Sequence, residues 1–116
     1  MKYVHNTIRI NKMTDLPLPY RKIREEFPQV AEAYDALGNA IHEAGPLDDK
    51  TRQLIKLALS IGAGLEGATH AHTRRSLEAG ISPEEIKHVV LLAMTTLGFP
   101  ATVSAYTWIG DELEKN

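Results

Sequence analysis

The 116 residues include no cysteine. That absence excludes disulfides, thiolate metal sites, iron–sulfur clusters and any thiol nucleophile or peroxidatic sulfur in this chain. An excess of one charge is missing too: thirteen Lys and Arg stand against fifteen Asp and Glu, a formal charge of −2. No basic footprint for nucleic acid and no polybasic membrane patch is present. No apolar run is long enough to span a bilayer. The first residues lack a basic segment followed by an apolar stretch, so no signal peptide is expected and the chain reads as soluble and cytoplasmic. No HExxH, EF-hand loop or Gly-rich phosphate loop occurs. Glycines 62, 64 and 67 have neither a preceding strand nor a following Lys-Ser/Thr.

What remains is an ordinary globular balance, 43% hydrophobic and 24% charged. A chain of this length buries about 65% of its unfolded surface, enough for one core. Thr7-Ile8-Arg9-Ile10 alternates polar and apolar, so residues 1–16 read as an extended N-terminal arm, and 17–116 as a single domain. Prolines 17 and 19 suit the start of a short helix near 18–26. Pro28 opens a second, with Val30, Tyr34, Leu37 and Ile41 at helical spacing, closed by Gly45-Pro46 near Ala44. Asp48 is placed to cap a third helix that ends at Gly62 and Gly64. A fourth covers about 65–79 and stops at Gly80. Ser82-Pro83-Glu84-Glu85 has the form of a capping box, followed by a helix apolar nearly all round from Val89 to Leu97. Gly98-Phe99-Pro100 then breaks the chain before a last helix to about Glu114. Such an all-round apolar helix implies cover by a second copy, hence a homo-oligomer. Nothing reads as βαβ, so the fold class is all-α, a compact helical bundle.

The segment 65–79 carries the candidate chemistry. At 100° per residue Leu65, Ala68, His72, Ser76 and Ala79 share one face, read as inward-looking, with His70 and Leu77 on the other side. His72 is then either a general acid or base in a pocket lined by Leu65 and Ala68, or a buried histidine satisfied by one hydrogen bond. His70 and His72 lie about 200° apart on a helix and cannot converge on one metal. A metal would need long-range convergence with His5, His42 or His88, and no metal site is expected. Arg75, and less directly Arg74, could grip a substrate carboxylate, or be plain surface arginines. Gln53, near the start of the preceding helix, can orient a ring but cannot shuttle a proton. Met94 with Leu97, and Tyr106 with Trp108, read as core or interface packing rather than a cofactor box.

Asp-Asp-Lys-Thr-Arg-Gln-Leu-Ile (48–55), Ala-His-Thr-Arg-Arg-Ser-Leu-Glu-Ala-Gly (71–80), Ser-Pro-Glu-Glu-Ile (82–86) and Gly-Phe-Pro-Ala (98–101) together resemble the carboxymuconolactone decarboxylase family, which includes the alkylhydroperoxidase D-like proteins. The resemblance implies the all-α fold and helical oligomerisation. Its thiol peroxidases carry Cys-x-x-Cys four residues before a His, with an upstream relay Glu. Those cysteines fall on Leu65 and Ala68, and the Glu on Gln53, leaving His72 alone. The resemblance thus implies no redox cycle here. Its lactone decarboxylase branch, which uses neither metal nor organic cofactor, implies His72 as the acid and Arg75 or Arg74 as the cation beside a carboxylate. A non-catalytic, small-molecule-binding member of the family is the rival expectation.

Overall fold

The computed structural model describes residues 18–115, so the expected N-terminal arm lies outside the described residues. Six helices are found there: α1 (Leu18–Glu26), α2 (Pro28–Glu43), α3 (Asp49–Gly62), α4 (Glu66–Glu78), α5 (Pro83–Leu97) and α6 (Phe99–Leu113). No strand occurs among the described residues, in line with the all-α expectation. The last helix begins at Phe99, two residues earlier than the sequence suggests, because Pro100 sits in its first turn where a missing N–H costs nothing. The chain divides into two compact units that meet at Pro46 and Leu47.

In the first unit α1 and α2 are joined at Phe27. The Arg24 guanidinium grips Asp35 with two hydrogen bonds, Nη2–Oδ1 at 2.8 Å and Nη1–Oδ2 at 3.1 Å. It also lies 5.0 Å from the centre of the Tyr20 ring. Asp35 holds the guanidinium even more firmly protonated than usual. No apolar residue of α1 or α2 is buried.

The second unit is a four-helix arrangement in which α3 packs on α4 and α5, and α6 packs on α4 and α5. Leu57 and Ile61 of α3, Ile86 and Val90 of α5, Ala105 and Ile109 of α6, and Ile81 from the α4–α5 link make its core. Sequence signals set the helix ends. Asp48 accepts from the Thr51 N–H at 2.8 Å, which keeps its carboxyl below the usual range. Ser82 and Glu85 form the expected reciprocal capping box at 3.1 and 3.0 Å. The Glu85 carboxyl is held at about 2, first by Lys50 at 2.7 Å and then by the Ser82 N–H. Gly80 at φ +85° closes α4, with Ile81 N–H bonded to Ser76 O and Gly80 N–H to Leu77 O, both at 3.0 Å. That left-handed turn drives Ile81 into the core.

Candidate functional site

Helix α4 contributes no fully buried aliphatic side chain. Its buried residues are Thr69, Thr73 and Ser76. Each hydroxyl donates to the carbonyl four residues back: Thr69 to Leu65 at 2.8 Å, Thr73 to Thr69 at 2.7 Å, Ser76 to His72 at 2.7 Å. With its polarity satisfied inside the helix, each residue presents a small, neutral surface to the core. Thr69 and Ser60, 3.1 Å apart, also link α4 to α3.

The inward face of α4 is therefore turned by about 70° from the expected face of Leu65, Ala68, His72, Ser76 and Ala79. Leu65 and Ala79, expected on the inner face, are exposed, and Ala68 is half-buried. His72 and His70 flank the threonine stripe on opposite sides, and both are half-buried. His70 was expected on the outer side with Leu77. It turns instead toward α6, and Leu77 packs against the core.

That turn brings His70 Nδ1 within 2.6 Å of Glu112 Oε2. Glu112 is 2% exposed and His70 19%. Arg74 Nη1 reaches the same oxygen at 3.1 Å, and Lys115 Nζ lies 3.4 Å away. Burial alone would push the Glu112 carboxyl up. The His70 hydrogen bond, with Arg74 and Lys115, outweighs it and holds the group below its ordinary range. Nε2 of His70 lies 3.7 Å from the exposed Glu66 carboxylate. Glu112 was not among the residues expected at the site. Its signal was present: Thr102, Ala105, Ile109 and Glu112 fall on one buried stripe of α6, so a carboxylate there needs partners.

Gln53 lies on the same face of α3 as Leu57 and Ser60 and is 9% exposed. Its Oε1 is shut off from solvent and has no hydrogen-bond donor among the described residues. Nδ1 of His72 is likewise shut off from solvent. Arg75 is half-buried on the last turn of α4. Arg74, the other arginine considered for a substrate carboxylate, is engaged by Glu112.

A further cavity lies away from these residues. A groove of about 550 Å³ runs between α3 and α5, walled by Leu54, Ile55, Ala58, Val89, Leu92 and Ala93, with Glu85 and His88 at one end. None of His72, Gln53, Leu65, Ala68, Arg74 and Arg75 borders it. Among the described residues no group of three or more His, Cys, Asp or Glu side chains is placed to hold a metal ion. Among the same residues no helix is long and apolar enough to cross a membrane.

Residues 28–111 match the model of the Carboxymuconolactone decarboxylase family. A protein of Haemophilus influenzae described only as uncharacterized is 35% identical over 57 residues, 49% of this chain and 50% of that one. The chain thus spans half the length of that relative. Uncharacterized protein MJ1511 of Methanocaldococcus jannaschii is 28% identical over 83 residues, 72% of this chain and 78% of its own. The crystal structure of apo-lpg0406, a carboxymuconolactone decarboxylase family protein from Legionella pneumophila, superposes with a TM-score of 0.71 at 25% identity. It covers 97% of this chain and 96% of that one.

Proposed function

The chain belongs to the carboxymuconolactone decarboxylase family, and on that premise we propose that it is a cofactor-independent carboxy-lyase acting on a small carboxylated lactone or related acid. The observation that carries this reading is Gln53. A buried amide oxygen without a donor costs free energy that folding does not recover, so its natural complement is a donor supplied by a ligand or a ring it orients. His72 is the proton carrier in this reading and Gln53 the residue that positions it or the substrate. Arg75 holds the carboxylate, because Arg74 is committed to Glu112.

The chemistry these residues would support is simple. The bond between ring carbon and carboxylate breaks, carbon dioxide leaves, and the electron pair stays on the carbon, conjugated with the lactone carbonyl. His72 in its protonated form delivers the proton that quenches it. An apolar setting favours the step, because charge spreads out as it proceeds. With no sulfur nucleophile in the chain, a thiol peroxidase cycle has no place in this mechanism.

Two further proposals accompany this reading. Residues 17–116 act as one family domain, since the family match runs across the boundary at Pro46. The protein self-associates, since Leu91, Leu92 and Phe99 are more than half exposed. A second reading, a non-catalytic small-molecule binder, is favoured by one observation: the groove between α3 and α5 is largely apolar and does not border His72. Incubation with a carboxylated lactone labelled with ¹³C in the carboxyl group separates the two. The enzyme reading expects labelled carbon dioxide in many-fold molar excess over protein. Saturable binding with the label still on the substrate favours the binder.

A further inference from the structure

We propose that the groove between α3 and α5 is the seat of helix α2 from a second copy of this chain. The inference rests on the self-association proposed above and names the surfaces that make it.

Two unpartnered apolar features of this chain match in form. Val30, Tyr34, Leu37 and Ile41 recur at intervals of four, three and four along α2, the spacing of a helix seam, and each is 55–63% exposed. Small residues, Ala33, Gly38 and Ala40 among them, flank that seam. A Cβ added at Gly38 would meet nothing within 4 Å, so the helix is slim where a neighbour would approach. The seam from Val30 to Ile41 is about 16 Å long, at 1.5 Å per residue. The α3 wall of the groove runs from Thr51 to Gly62, the same eleven steps.

The other requirement is area. A large apolar side chain of the seam or the groove offers on the order of 100 Å² for burial. Four from each surface, counted for two copies that dock reciprocally, bury on the order of 1,600 Å², the size of a standard stable interface. The seam offers no charged side chain, and the groove walls are apolar apart from Glu85 and His88 at one end and the neutral hydroxyls of Thr51 and Thr96. No uncompensated charge would be buried along most of its length.

The cysteine-free sequence provides a clean test. Chains carrying only Leu37→Cys are mixed with chains carrying only Leu92→Cys and oxidised, after circular dichroism has established that both remain helical. The proposal expects a covalent dimer in the mixture that neither chain yields alone, and a light-scattering mass above 12.9 kDa for the unmodified protein. Leu37→Asp should lower that mass toward the protomer. If the mixture yields no covalent dimer beyond what each chain yields alone while the mass stays oligomeric, the proposed seat is wrong and self-association stands. A protomer mass for the unmodified protein overturns both.

Discussion

Replacing Glu112 by Gln removes a charge from a buried position without changing its shape. In the native protein the 2% exposed carboxylate takes a 2.6 Å hydrogen bond from His70 and a 3.1 Å one from Arg74. Breaking a fully buried ion pair costs about 3–5 kcal/mol. Here the partners reach water, His70 at 19% and Arg74 at 32% exposure, so the upper figure does not apply. Gln can still accept one hydrogen bond, and the difference between a charged and a neutral acceptor is about 1–1.5 kcal/mol. A loss of about 1–2 kcal/mol follows, or roughly 4–8 °C in melting temperature. The sign with pH is fixed by the depressed Glu112 pKa. Its contribution is complete above the unfolded carboxylate value of about 4.3 and is lost as pH falls through the lower folded value. Urea unfolding followed by circular dichroism, at pH 7 and again near pH 3.5, reads both effects. The gap between native protein and variant should be present at pH 7 and shrink at the lower pH. A variant within 0.3 kcal/mol of the native protein at pH 7 (about half of RT) would refute the assignment, as would a gap that ignores pH.

Other outcomes follow from the same structure. Ser82→Ala removes one arm of the capping box at the start of α5 and should cost about 1 kcal/mol, read from the urea midpoint. Leu57→Ala empties a fully buried core position and should cost about 2–5 kcal/mol in the same assay. Gly80→Ala places a side chain at φ +85° and should lower stability by about 1 kcal/mol without altering the helical signal. Peroxide consumption with a dithiol reductant should match a blank without protein, because no cysteine is present; a saturable, heat-labile rate would contradict this.

The helix ends were legible because they rest on local chemistry. Asp48, Ser82 with Glu85, and Gly80 act within a few residues of themselves. The facing of α4 was not legible by the same route. An apolar stripe is the usual sign of an inner face, and here threonine and serine hydroxyls satisfied by their own helix take that place. The error of about 70° sent His70 to the wrong side and hid its bond to Glu112, which joins positions 42 residues apart. Glu112 itself sits in a charged tail, Asp111 to Lys115, that reads as a solvated end. Only its place on the stripe of Thr102, Ala105 and Ile109 separates it from its neighbours. The groove was harder still to foresee. The apolar character of α5 was plain in the sequence, while the pairing of its outer face with α3 depends on tertiary packing.

In the proposed reaction His72 handles the proton of a decarboxylation that needs no cofactor. Steady-state release of carbon dioxide from carboxymuconolactone, compared between the native protein and His72→Gln, tests it most directly. Turnover by the native protein is expected, with a fall in kcat of about 10²–10⁴-fold in the variant and the melting temperature and KM little changed. Turnover undiminished in His72→Gln, or none from the native protein over a panel of carboxylated lactones, would contradict it.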